Sequence, residues 1–311
     1  MKAVHYSQIM FSKAVAGYLL AAEARHLSKN TLIDYSRTFR KFQEFLGEDL
    51  PFAKVTRQQI EDFLRLQAVA KKTLLNYHIG LSALWTWAVN EELVATNIVH
   101  RVERAKPEKR AVEPFTEEDI RKLLSVISKS RAYTRPGKTE TTHTIPNTDR
   151  NRAIILLLLD TGIRSSELCG LKINQTDLKN RRIRVMGKGS KERWVPFCAR
   201  TAQAIWKYLA TRKDEPANNY LFITTEGGPM DPDRMLKLLW GIGERAEVED
   251  VHPHRFRHTF AINFLRNGGD PWSLQMMLGH STMEMVKTYL SIAQADLDER
   301  HKLASPVDNL K

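Results

Sequence analysis

Four segments in the second half of the chain gather residue types that do chemistry. TGIRSSEL (residues 161–168) holds Arg164 just past a Thr161-Gly162 helix stop, with Ser165 and Ser166 able to open the next helix. GKGSKER (187–193) sets Lys188 between glycines that allow a hairpin turn and a close backbone approach, followed by Lys191 and Arg193. HPHRFRHTFA (252–261) puts His254 and Arg257 at i and i+3 on one helix face behind Pro253. Phe256, Phe260 and Phe264 mark the buried side of that helix. LGHSTMEMVKTYL (278–290) turns at Gly279 and His280, then opens a helix through a Ser281/Glu284 capping box and carries Tyr289. Singly, each has an ordinary reading: a surface arginine, a solvated turn lysine, a half-buried helical tyrosine. His254 and His258 also have zinc-ligand spacing. However, Arg255 stands where the HExxH pattern needs its glutamate, and Arg255 and Arg257 repel a cation.

Taken together, Arg…Lys…His-x-x-Arg…Gly-His…Tyr in this order resembles the tyrosine recombinase (phage integrase) family, particularly its Xer-type members. The resemblance covers essentially the whole chain. It implies Arg164, Lys188, His254, Arg257, His280 and Tyr289 as catalytic residues, Tyr289 as nucleophile, and Glu167 in a supporting position. It also implies a DNA strand transferase that needs neither metal nor ATP and no other cofactor.

The residue types agree with that chemistry. Breaking a phosphodiester builds charge on the non-bridging oxygens, which preorganised cations stabilise. An arginine fork holds two phosphate oxygens and stays charged, so Arg164 and Arg257 would form the clamp, with His280 adding a hydrogen bond. A phenol of pKa about 10 is a poor nucleophile. Tyr289 therefore needs the clamp's field and a base such as His254, while Lys188 would return a proton to the departing 5′ oxygen. A metal-dependent nuclease would need clustered carboxylates. Asp160 and Glu167 flank Arg164 and are read as orienting it instead.

The whole-chain charge fits a polyanion. The 311 residues carry 48 Lys+Arg against 36 Asp+Glu, a net +12. That excess divides evenly, +6 over residues 1–111 and +6 over the rest, as expected if both halves grip one DNA duplex. Two cysteines, Cys169 and Cys198, leave no disulfide framework. No 18-residue apolar run and no signal-peptide core is present, so a cytoplasmic protein without membrane contact is expected.

The elements that must position the site fall into two domains, which suits the length. The expected fold is mainly α: an N-terminal four-helix core-binding (SAM-like) domain at 1–104, a linker at 105–114, and a mixed α+β catalytic domain at 115–311 with a small β-hairpin sheet. Helical periodicity marks Phe11–Ala22, Thr31–Leu46, Arg57–Ala70 and Lys72–Glu92, with starts at Ser28 or Asn30, Thr56 and Thr73. On that bundle Lys29, Arg37, Arg40, Lys41, Lys71 and Lys72 are candidate DNA-backbone contacts, joined by Lys191 and Arg193 on the hairpin. Further on, helices are expected at Glu118–Ser128 behind Thr116 and at Asn151–Leu159, and again after Asp231. Strands are expected at 182–185, 193–196 and 221–224, and a polar loop or insertion at 131–149. A tail helix at 295–303 would, by the resemblance, pass to a neighbouring subunit in a tetramer on two DNA sites.

The start directly at the bundle, with no arm-site domain, resembles Xer recombinases and simple mobile-element integrases. The insertion tips the expectation towards integration or excision of a mobile element, with chromosome or plasmid dimer resolution as the alternative. A type IB topoisomerase and a non-catalytic DNA-binding protein are weaker readings.

Overall fold

The computed structural model describes residues 9–107, 113–128, 147–187, 192–212, 219–293, 301 and 305–309. Two compact units divide the chain, Met1–Arg110 and Ala111–Lys311, and the division falls within the segment read as a linker. Residues 108–112 of that segment lie outside the described residues, as do most of the 131–149 insertion and of the expected tail helix.

The first unit consists of α1 (Phe11–Ala24), α2 (Lys29–Leu46), α3 (Arg57–Leu66) and α4 (Lys71–Asn90). Local chemistry sets most of these ends. The Ser28 hydroxyl accepts from the Thr31 N–H, Thr56 and Gln59 form a reciprocal capping box, and Gly47 ends α2 at φ 75°. Two boundaries differ from expectation. α3 stops at Leu66, because Gln67 is extended. α4 starts at Lys71 rather than Thr73, because the N–H groups of Thr73 and Leu74 both close on the Ala70 carbonyl. The core is aromatic: Phe11, Phe42, Phe63 and Trp85 are essentially without exposure. Burying each such side chain stabilises the unit by roughly 1.5–3 kcal/mol.

The second unit contains α5 (Glu117–Ser125), α6 (Thr148–Thr161) and α7 (Ser165–Cys169), then the strands β1 (Thr176–Asp177), β2 (Arg182–Met186) and β3 (Glu192–Pro196). α8 (Ala199–Thr211), α9 (Pro232–Ala246), α10 (Pro253–Arg266), α11 (Pro271–Leu278) and α12 (Glu284–Ala293) follow. The strands form an antiparallel sheet in the order β1-β2-β3, with Ile183 opposite Val195 and Val185 opposite Arg193. α6 is buried along nearly its whole length and packs against α8 and α10, forming the floor beneath the site.

Three expectations change here. Residues 221–224 are not a strand: Tyr220 bridges Lys172 and Ile223 bridges Pro229, two isolated pairs that never extend into a ladder. The helix carrying Tyr289 begins at Glu284 instead of Ser281, with the Met283 carbonyl taking the first N–H groups. Asp160 does not orient Arg164. It accepts from the Cys198 N–H and the Thr201 hydroxyl, both at 2.7 Å, and so caps α8, a helix that sequence periodicity did not mark. Among the described residues no helix is long and apolar enough to cross a membrane.

Candidate active site

The site is built on two glycine turns. Gly162 ends α6 at φ 58°, and a Cβ there would run into the Phe260 ring and Leu278. Only glycine satisfies both the left-handed backbone and the close approach. The turn delivers Arg164 to the N-cap of α7, where its backbone N–H donates to Glu167 Oε2 at 2.8 Å and its Nη1 to Glu167 Oε1 at 3.1 Å. Gly279 ends α11 at φ 63°. Past it, His280 enters the site.

The C-terminal end of α11 then organises the cations. Its last carbonyls have no partner within the helix and carry the negative end of the helix dipole. The Leu278 carbonyl accepts from Arg257 Nη2 at 2.7 Å and from Arg164 Nη1 at 3.3 Å. The Met277 carbonyl accepts from Arg193 Nε at 2.8 Å. Arg257 is buried on α10, and its Nη1 also donates to the Gly162 carbonyl at 2.8 Å. Burial, then the field of Arg164, lowers its pKa to about 10, so it remains charged at neutral pH. Arg164 is more open, with its side chain 35% exposed, which leaves part of its fork for a ligand.

Tyr289 lies on α12 with only 3% exposure. Burial raises its pKa above the ordinary phenol value; the charges of Arg257 and Arg164 and a hydrogen bond with Arg257 pull against that rise. Its ring neighbours two imidazoles, His258 at 5.4 Å and tilted, and His280 at 6.3 Å and nearly parallel. Both imidazoles have pKa values lowered to about 4, by burial first, then by His254 and Arg257 at His258 and by Arg257 and Arg164 at His280. His254, at the outer end of α10, is lowered by partial burial and by Arg257 and Arg164.

Of the six residues read as catalytic, Arg164, Arg257 and His280 thus meet in one hydrogen-bonded cluster, Tyr289 stacks on His280 within the field of both arginines, and His254 feels the same two arginines. Lys188 and Lys191 lie outside the described residues, although the β2 and β3 strands that flank them are formed. Glu167 is buried and bonded to Arg164. Arg193, read as a DNA contact, points inward: Nη1 and Nη2 hold Glu167 at 2.8 and 2.9 Å. Strand alternation carries the signal, since Arg193 shares a face with buried Val195. The sequence offers His258 only as a metal ligand, yet helical spacing puts it in a stripe with buried Ala261 and Leu265. Among the described residues no group of three or more His, Cys, Asp or Glu side chains could hold a metal ion.

In the first unit, Lys29, Arg37, Arg40, Lys71 and Lys72 are exposed. Arg37, Arg40 and Lys41 of α2 line a groove with Thr73, Asn76 and Tyr77 of α4, and Lys41 lies 5.6 Å over the Tyr77 ring.

Comparison with known proteins agrees with both units. Residues 13–105 match the phage integrase SAM-like domain and residues 114–296 match the phage integrase family. The tyrosine recombinase XerC of Bacillus pumilus is 29% identical over 91% of this chain and 92% of its own length. That of Bacillus subtilis is 27% identical over 87% of this chain and 88% of its own. Among solved structures, the Tn1549 transposon integrase in complex with transposon right end DNA superposes with a TM-score of 0.75 at 21% identity, covering 94% of this chain and 99% of that one. The XerH recombinase bound to its difH substrate gives 0.70 at 21%, covering 94% and 84%. The two matched domains together span most of the sequence, and the chain belongs to the phage integrase family of tyrosine recombinases.

Proposed function

We propose that Tyr289 attacks a DNA phosphodiester, forming a 3′-phosphotyrosyl bond as the bond to the 5′ oxygen breaks. The observation that carries this reading is the convergence of Arg164 and Arg257 on the Leu278 carbonyl, with the Tyr289 ring stacked 6.3 Å from His280 and under the field of both arginines. A phosphate entering beside Arg164 would meet a preorganised cationic cluster and a phenol already under its field. The phenolic proton leaves to a base, for which His254 is the candidate, since its lowered pKa keeps it neutral and able to accept. Lys188 gives a proton to the departing 5′ oxygen. A 5′-hydroxyl of a second strand then attacks the phosphotyrosine, re-forming a phosphodiester and releasing Tyr289, so no ATP is consumed.

The assembly that exchanges strands is a tetramer on two DNA sites, acting in the cytoplasm. Its proposed biological role is integration and excision of a mobile element, supported by the 131–149 insertion. A second reading, resolution of chromosome or plasmid dimers, is favoured by the several relatives named tyrosine recombinase XerC. The test of the chemistry is a covalent-adduct assay on a pool of nicked duplexes of randomised sequence. Wild-type protein is expected to give a denaturation-resistant protein–DNA adduct that Tyr289→Phe abolishes; an adduct retained in that variant overturns the assignment. Sequencing the captured duplexes identifies the site, and its genomic position separates the two roles.

A further inference from the structure

We propose that Arg193 is a positioning residue for the phosphate clamp: through Glu167 it fixes the guanidinium of Arg164, and through Met277 it fixes the turn that presents His280. This rests on the phosphotyrosine reading above. The geometry is specific. Both terminal nitrogens of Arg193 meet the Glu167 carboxylate, at 2.8 and 2.9 Å, and Nε meets the Met277 carbonyl at 2.8 Å. The side chain is only 13% exposed. Glu167 uses the same two oxygens to hold the Arg164 backbone and side chain. One buried carboxylate therefore joins a strand arginine to a clamp arginine.

The shape of the pocket agrees. A Cβ on Gly279 would lie 2.9 Å from the Arg193 guanidinium, so the residue before His280 leaves room for this contact. A fork is needed as well as a charge, because lysine cannot satisfy two carboxylate oxygens and a carbonyl in one plane. Without Arg193, Glu167 becomes a buried carboxylate with one cation partner, and burial then favours its protonated form. A protonated Glu167 holds Arg164 less firmly, and a small displacement of a clamp group can cost about 100-fold in rate. Arg193 also belongs to β3, the return strand of the hairpin that bears Lys188, so the same contact anchors that hairpin to the clamp.

The experiment uses the full chain and the randomised pool of nicked duplexes. Arg193→Met is expected to lower the single-turnover rate of adduct formation at saturating DNA by about 100-fold. DNA affinity and its salt dependence should stay within about twofold of wild type, since no phosphate contact is lost. Added guanidinium ion should restore part of the rate, and Arg193→Met/Glu167→Gln should lose little beyond the single variant. Arg193→Lys, the milder replacement, is read the same way if the methionine variant does not fold. Weaker DNA binding with a shallower salt slope and an intact rate at saturation would make Arg193 a DNA contact and overturn the proposal, as would no change in either quantity. A DNA-independent readout separates this proposal from the reading beneath it. Even if wild-type protein forms no adduct, the loss of thermal midpoint on acidification through the carboxylate range should shrink in Arg193→Met, because Glu167 is no longer held below its unfolded pKa; an unchanged acid limb refutes the link to Glu167.

Discussion

Arg257 donates a hydrogen bond from Nη2 to His280 Nε2 at 2.7 Å. An imidazole nitrogen that accepts from a guanidinium carries no proton, so the His280 proton sits on Nδ1 and the ring is neutral. Burial first, then the charges of Arg257 and Arg164, lowers its pKa to about 4. His280 Nδ1 is buried and finds no hydrogen-bond partner among the described residues. A phosphate that drew Arg257 away would free Nε2, and a tautomer change would turn His280 into a donor. Before substrate arrives, the ring holds Arg257 in place.

The two imidazoles around Tyr289 set an acid limit on stability. His258 and His280 fall from an ordinary 6.5 to about 4 in the folded protein. Between those values the unfolded chain binds more protons, so stability rises with pH through this window and is lost as pH falls towards 4. Thermal midpoints measured from pH 8 to pH 4 should be nearly flat above about 7 and decline below about 6.5. The decline should shrink in His258→Asn and His280→Asn. A midpoint independent of pH between 7 and 4 would contradict the burial of both rings.

His258 is expected to act on Tyr289 through ring packing, 5.4 Å from centroid to centroid. His258→Ala should slow adduct formation about tenfold with DNA affinity unchanged, by freeing the phenol ring. His258→Phe, which keeps an aromatic surface, should recover most of that loss. Equal losses in both variants would point to a proton-transfer role instead.

Much of this site was legible because its ingredients are local. The glycine stops, the capping boxes at Thr56 and Thr116, and the alternation of β2 each depend on neighbours a few residues away. What escaped depends on distant partners. α8 is capped by Asp160, 38 residues before Cys198, so no local cap announced it. Arg193 looked like a basic surface residue because its partner Glu167 is 26 residues away in sequence. The apolar run at 221–224 has strand composition, but each bridging residue finds a different single partner. Composition cannot tell a ladder from a bridge.

Gly162 and Gly268 both have positive φ but differ in surroundings, which permits a controlled comparison. At Gly268, with φ 89°, an added Cβ would meet nothing within 4 Å, so Gly268→Ala should cost about 1 kcal/mol from backbone strain alone. Gly162→Ala adds overlap with Phe260 and Leu278 and should cost about 2–4 kcal/mol. Denaturant midpoints measure both. Because Arg257 is tied to the Gly162 carbonyl, that variant should also lose adduct formation, whereas Gly268→Ala should keep it. Equal destabilisation would mean that packing around the α6 stop adapts freely.

Lys188 can be tested through the leaving group. If it protonates the 5′ oxygen, Lys188→Ala should be slow on ordinary DNA and near wild-type rate on a 5′-bridging phosphorothioate, because a thiolate leaves without a proton. Equal slowing on both substrates would assign the lysine to phosphate binding.

The basic groove of the first unit makes a prediction of a different kind. If Arg37, Arg40 and Lys41 contact phosphates, each contact contributes about 0.9 to the slope of log affinity against log salt. Arg37→Gln/Arg40→Gln/Lys41→Gln should therefore flatten that slope by roughly 2–3. The exposed Arg40–Glu44 pair at 3.8 Å is too weak to withhold Arg40 from DNA. Rate at saturating DNA should stay close to wild type, because none of these residues belongs to the Tyr289 cluster. Arg193→Met should do the reverse, lowering the rate and leaving the slope. The two variants together thus separate charge that binds the duplex from charge that orders the reacting phosphate, and a common phenotype would show that the +12 excess does not divide in this way.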